Sequence, residues 1–119
     1  MLIKDVKNCP ELKALDHSII RELLSPLKDP VKSRYSIAHA TLKPFSTTAK
    51  HQLKTTEVYY IIKGKGIMHI NEESQAISEN QVAYIPPHAI QSITNTEKTD
   101  LIFLCIVDPP WQEDNEKLS

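Results

Sequence analysis

Three side chains in the middle of the sequence could do chemistry together: His51, Glu57 and Tyr59. Successive residues of an extended chain alternate between two faces, so these three residues share one face if the chain is extended throughout. The same face carries the apolar residues Leu53 and Ile61, which predicts that it is buried. A buried carboxylate needs a metal ion, a histidine or several hydrogen-bond donors as its partner. The alternative is that the charged face points into solvent.

The elements that would position these residues are short β-strands. Runs rich in Tyr, Ile, Val and Thr, separated by prolines or polar turns, predict about eight strands from residue 33 onward. The clearest runs cover residues 33–42, 57–63, 66–70, 75–77, 81–85, 89–94 and 101–107. Many short strands at regular spacing are typical of a β-sandwich or a small barrel.

The two ends of the chain are less regular. Residues 8–15 could begin a short helix, with Pro10 near its first position. Hydrophobic periodicity leaves residues 19–24 open between helix and strand. The acidic tail from Trp111 to Ser119 is expected to fray or to form a surface helix.

Length and composition limit the possible functions. With 119 residues, the chain is expected to be a single domain over 1–119. Its net charge of -1 argues against nucleic-acid or anionic-membrane partners. The only glycines, Gly64 and Gly66, are too few for a P-loop or a dinucleotide fingerprint. No apolar run approaches the ~20 residues that span a bilayer, and no signal peptide is visible, so a cytoplasmic location is expected.

The two cysteines, Cys9 and Cys105, are too few for a disulfide framework or a thiolate metal site. Reduced thiols are therefore expected. Cys105 lies within an apolar run and is interpreted as a small core hydrophobe rather than a nucleophile.

The chain resembles the cupin superfamily over approximately residues 35–107, as a small single-domain cupin of the cupin 2 conserved-barrel type. The first cupin motif reads Gly, five residues, His-x-His, three or four residues, Glu, six residues, Gly. His51, Glu57 and Gly64 match this motif. Phe45 stands where the first glycine would be, and Leu53 replaces the second histidine.

The second cupin motif reads Gly, five residues, Pro-x-Gly, two residues, His, three residues, Asn. Pro86 and Asn95 match it, whereas Gln91 replaces the histidine. Asn80 and His88 stand at the two glycine positions. Asparagine and histidine are among the non-glycine residues that tolerate a positive φ, so both replacements are physically plausible.

The resemblance implies an all-β fold, a cupin-type double-stranded β-helix or jelly-roll barrel, with short N-terminal and C-terminal extensions. Members of the family bind a metal ion through the histidines and the glutamate of the two motifs. Transferred residue by residue, this leaves His51, Glu57 and Gln91 as metal ligands. A set with fewer imidazoles binds the later divalent metals less well, and Mn, Fe, Zn or Ni are the candidate ions. The alternative is a hydrogen-bonded polar cluster without a metal.

A small barrel encloses a pocket with apolar walls and few polar groups, which suits a small-molecule ligand. Glu57 could act as a general base if burial raises its pKa, and Tyr59 could donate its hydroxyl to the ligand. These groups suit a metal-dependent isomerase, lyase or related enzyme acting on a small oxygenated substrate. The alternative is a non-catalytic ligand-binding or sensing module with no tightly bound metal. Barrels of this family often pair through edge strands, so a homodimer is expected.

Overall fold

A computed structural model describes all 119 residues, and nearly every regular element in it is a β-strand. The eleven strands are β1 (Leu12–Lys13), β2 (Ile19–Leu24), β3 (Ser36–Leu42), β4 (His51–Leu53), β5 (Thr56–Lys63), β6 (Lys65–Ile70), β7 (Glu73–Ser78), β8 (Val82–Ile85), β9 (Gln91–Asn95), β10 (Leu101–Asp108) and β11 (Glu116–Leu118). Two single turns of 3-10 helix lie at Val6–Asn8 and Glu113–Asn115. The predicted all-β class is confirmed. None of the helical segments has the length and apolar character needed to cross a bilayer.

The strands form two antiparallel sheets whose order differs from their order in the chain. The six-stranded sheet has the order β1-β2-β3-β10-β5-β8, and the five-stranded sheet has the order β11-β4-β9-β6-β7. Consecutive strands therefore cross repeatedly from one sheet to the other, as in a jelly roll. Eleven buried apolar residues from both sheets form one core cluster between them. This arrangement is the predicted jelly-roll barrel.

Strand β5 shows how the alternation of side chains positions the chemistry. Tyr59 and Ile61 are buried in the core, whereas Tyr60 and Ile62 on the opposite face are exposed. Glu57 has the same parity as the buried pair and is itself buried. The parity argument from the sequence therefore places this carboxyl group correctly, on the inner face of the barrel.

The backbone keeps a left-handed conformation at all three positions where the cupin motifs have glycine and this chain does not. The φ angles are 55° at Phe45, 67° at Asn80 and 67° at His88. The tight turns of the barrel thus persist, although a side chain in this region costs about 1–2 kcal/mol. At Gly66, by contrast, no side chain is possible, because a Cβ atom would collide with the carbonyl oxygen of Thr94.

Both ends of the chain are built into the sheets, which corrects the expectations for them. Residues 8–15 form no α-helix; strand β1 lies there instead and pairs with β2, which continues the sheet beside β3. The tail neither frays nor forms a surface helix beyond a single 3-10 turn. Its strand β11 pairs with β4, and Ser119 N donates to the Lys50 carbonyl. The backbone hydrogen bonds offered by the barrel edges override the weak local preference of these segments.

Candidate functional site

A cavity of about 660 Å³ lies between the interior of the barrel and the two ends of the chain. The barrel contributes His51, Leu53, Glu57 and Tyr59 to its lining. The remaining walls come mainly from residues 12–25 and residues 111–116. Its volume is in the range of small-molecule binding sites. The two extensions, which the sequence describes only as flanks of the barrel, are therefore part of the candidate site.

Glu57 is the most perturbed acid of this cavity. Glu57 is only 6% exposed. Burial raises the pKa of its carboxyl group to about 8, and the charges of Glu116 and Asp16 make smaller contributions to this rise. The side chain of Gln91 opposes this rise, although no hydrogen bond of ordinary geometry joins the two groups. Glu57 Oε1 and Gln91 Nε2 are both buried without a hydrogen-bond partner in the protein. At neutral pH the carboxyl group of Glu57 is therefore mainly protonated.

Tyr59 and Gln91 are joined directly. The Tyr59 hydroxyl donates to Gln91 Oε1 over 3.0 Å, and both residues are almost fully buried. Burial raises the pKa of Tyr59 well above its usual value, and the neighbouring Glu57 raises it further. Tyr59 therefore remains a neutral donor that holds the Gln91 amide in one orientation.

His51 is held by the backbone and presents one ring nitrogen to two carboxyl groups. Its Nδ1 lies 2.9 Å from the Ala49 carbonyl oxygen. Because a carbonyl only accepts, Nδ1 carries a hydrogen and Nε2 is the remaining ring nitrogen. Nε2 lies 3.8 Å from Asp16 Oδ2 and 3.7 Å from Glu116 Oε2. Both distances exceed a normal hydrogen bond.

Asp16 and Glu116 are the site residues that sequence reasoning missed. Asp16 Oδ1 accepts hydrogen bonds from the amide and the hydroxyl of Ser18, so that its other oxygen faces His51. Glu116 Oε1 accepts from Trp111 Nε1 over 2.8 Å, and its other oxygen also faces His51. Burial raises the pKa of Glu116, whereas its hydrogen bond with Trp111 and the nearby His51 lower it. The Asp16-x-Ser18 pattern predicts a local turn. No sequence motif, however, indicates that Asp16 or Glu116 lies near His51.

The donor atoms do not fit the metal centre that the resemblance implies. The second histidine position is Leu53, and the single side-chain oxygen of Gln91 already accepts a hydrogen bond from Tyr59. No group of three or more His, Cys, Asp or Glu side chains is arranged so that it could hold a metal ion. His51, Glu57 and Gln91 are all buried. His51 lies opposite Gln91 in the pairing of β4 with β9, and Gln91 is close enough to Glu57 to affect its pKa. The role of the three residues as metal ligands stays a prediction.

Cys105 also lines the cavity, opposite Tyr59 in the pairing of β10 with β5. Burial raises the pKa of its thiol well above the usual value, and the charge of Glu57 adds to this effect. The thiolate, which is the reactive form, is therefore disfavoured. This agrees with the interpretation of Cys105 as a small apolar residue.

Comparison with known proteins identifies the family. Residues 38–107 match the Cupin domain family, Cupin 2. The chain is 35% identical over 105 residues to an uncharacterised protein of Methanocaldococcus jannaschii, covering 87% of this chain and 82% of that protein. It is 34% identical over 71 residues to an oxalate-binding protein of Thermotoga maritima, covering 59% of each.

Its fold matches the crystal structure of a cupin 2 conserved barrel domain protein from Salinispora arenicola. The TM-score is 0.79 at 12% identity, covering 96% of this chain and 91% of the other. A likeness at this identity shows the fold alone. Together with the match to the family over residues 38–107, it shows that the chain belongs to the cupin family.

Proposed function

We propose that this cupin binds a small oxygenated compound in its cavity and catalyses proton transfer on it, as an isomerase or a lyase does. One observation carries the proposal. Glu57 is a buried acid with a pKa of about 8, and its Oε1 has no partner in the protein. Such a carboxyl group has both the proton and the free position needed to act on a ligand in the cavity.

Two groups share the chemistry in this proposal. Protonated Glu57 donates its proton to the carbonyl oxygen of the substrate, while His51 Nε2 takes a proton from the adjacent carbon, so that an enol forms. The imidazolium produced at His51 is stabilised electrostatically by Asp16 and Glu116, whose oxygens lie 3.8 Å and 3.7 Å from Nε2. In a substrate with a hydroxyl group on the carbon that lost its proton, His51 returns a proton to the former carbonyl carbon while that hydroxyl gives its own proton to the Glu57 carboxylate, so that the carbonyl moves by one carbon and an isomerisation is complete. In a substrate with a leaving group on the next carbon, the enol returns its proton to Glu57 and the leaving group departs with the proton held by His51, which completes an elimination.

The raised pKa assigns different roles to Glu57 at different pH. The sequence predicts that Glu57 is a general base, whereas at pH 7 its carboxyl group is mainly in the acid form. It becomes a base only above about pH 8. Tyr59 acts in this scheme through Gln91, whose amide it orients beside Glu57.

A second candidate is a binding module without catalysis, favoured by the 34% identity to an oxalate-binding protein. In that case the same cavity holds a ligand and no bond changes. The two candidates differ in whether a proton of the ligand exchanges, which can be measured without knowing the product.

The test is hydrogen exchange on a panel of small carbonyl compounds in D₂O. The panel contains neutral sugars, keto acids and amino ketones, and deuterium uptake beside the carbonyl is followed by proton NMR. We expect at least one compound to exchange faster with the wild type, and Glu57→Gln to reduce this rate by about 10²-fold or more while binding persists. Glu72→Gln, at an exposed glutamate outside the cavity, is the matched control. Binding without any accelerated exchange would favour the non-catalytic candidate.

We also propose that two copies of the chain pair through strand β8. This strand is the last in the six-stranded sheet and hydrogen-bonds only with β5. Val82 and Tyr84 on its outer face are 63% and 60% exposed, and Val82 lies directly opposite exposed Tyr60 of β5. An edge strand with apolar side chains favours pairing with another strand. Antiparallel pairing of β8 with its own copy satisfies two-fold symmetry.

A further inference from the structure

We infer that the cavity selects a positively charged ligand, an organic ammonium compound with an apolar body, over an anion. The inference rests on the proposed binding of a small molecule in this cavity and names the class of that molecule. Among small oxygenated compounds, those that carry an amine would be favoured.

The charges around the cavity are strongly one-sided. Its lining includes six acidic residues, whereas Lys13 and His51 are its only basic residues. Lys13 is exposed. The three innermost acids, Asp16, Glu57 and Glu116, form no ion pair with a lysine or an arginine. An incoming anion would therefore meet several carboxyl groups without a fixed cation to offset them.

Free acceptor atoms point to a hydrogen-bond donor as the ligand. Glu57 Oε1 is buried and has no partner. Asp16 and Glu116 each use one oxygen in an anchoring hydrogen bond, so that each keeps a second oxygen in the cavity. An ammonium group has three donor hydrogens and no acceptor, which complements a set of carboxyl oxygens.

The rest of the cavity suits an apolar body. Its apolar lining includes Leu15, Ile20, Leu24, Leu53, Val107 and Trp111. Aromatic rings next to a cation add a further attraction, and Tyr59 and Trp111 both line this space. The ligand therefore combines a charged donor with a hydrocarbon part.

Three probes with one hydrocarbon chain separate charge from size: n-hexylammonium, n-hexanoate and hexan-1-ol. Their dissociation constants are measured by titration calorimetry at about pH 8, where a primary amine and a carboxylic acid are both charged. We expect hexylammonium to bind at least about tenfold more tightly than hexanoate, because the cavity offers carboxyl oxygens and no fixed cation.

Variants then identify the acid responsible. Glu57→Gln and Glu116→Gln are each expected to reduce the preference for hexylammonium over hexanoate. The exposed-site variant Glu72→Gln is expected to behave like the wild type. If Glu57→Gln folds poorly, Glu116→Gln and Asp16→Asn report on the same charge preference.

The outcomes distinguish this inference from the proposed function. If hexanoate or oxalate binds as tightly as hexylammonium, the charge preference is wrong, although small-molecule binding stands. If hexanol binds and hexylammonium does not, the inference fails in the same way. If none of the probes binds, both the inference and the proposed binding in this cavity are wrong.

Discussion

Glu116 and His51 meet in the cavity, with Oε2 of the acid 3.7 Å from Nε2 of the imidazole. The last strand of the chain makes this contact possible. Strand β11 pairs with β4, placing Glu116 opposite Leu53 and Leu118 opposite His51. A segment outside the conserved barrel therefore supplies a charged group to the barrel interior.

Glu57 makes stability depend on pH. Its pKa in the folded protein is about 8, above that of an unfolded glutamate, so the folded state binds more protons between the two values. The free energy of unfolding should therefore fall as pH rises, by an amount on the order of 4 kcal/mol between about pH 4.5 and about pH 8. Most of the fall between pH 6 and 8, measured by urea unfolding, should be absent in Glu57→Gln. A wild type with constant stability over that range would show that the carboxyl group is not protonated in the folded state.

Restoring glycine at the motif positions should stabilise the fold. Phe45 is 71% exposed and has a φ of 55°, so Phe45→Gly relieves backbone strain and loses little buried surface. The greater freedom of glycine in the unfolded chain offsets part of this gain, leaving about 0.5–1 kcal/mol. Thermal unfolding would measure the change. Leu27→Gly, at an exposed position without a positive φ, is the control and should be destabilising; a similar effect at both positions would argue against the strain.

The donor geometry predicts weak metal binding. We expect elemental analysis of the purified protein to find less than one equivalent of Mn, Fe, Zn or Ni. We expect wild type and His51→Ala to give the same metal titration, because His51 is the only imidazole of the set and the Gln91 oxygen already accepts a hydrogen bond from Tyr59. One tightly bound equivalent that His51→Ala removes would contradict this expectation. It would also support the ligand set of His51, Glu57 and Gln91.

Pairing through β8 predicts a dimer that depends on outward-facing residues. Sedimentation analysis of the wild type should give twice the chain mass. Val82→Lys places a charge on the exposed outer face of this edge strand and should shift the protein to a monomer that remains folded. Lys117→Glu, on an exposed residue of another strand, should leave the dimer intact. A dimer unaffected by Val82→Lys would place the interface elsewhere.

The sequence alone determines those features that depend on local regularity. Alternation along an extended chain puts Glu57, Tyr59 and Ile61 on one face, because side-chain direction in a strand depends only on residue parity. The turns of the two cupin motifs are also determined by the local sequence. Asn80 and His88 have the positive φ angles that glycine would adopt at these positions.

Only the tertiary structure decides the rest of the site. Asp16 and Glu116 reach the cavity because β2 and β11 pair with distant strands, and no local pattern encodes that pairing. The pKa of Glu57 likewise depends on how completely the assembled barrel removes it from water and on which carboxyl groups the chain ends place nearby. Burial and long-range charge are properties of the packed molecule, so they emerge only when the two ends of the chain close over the barrel.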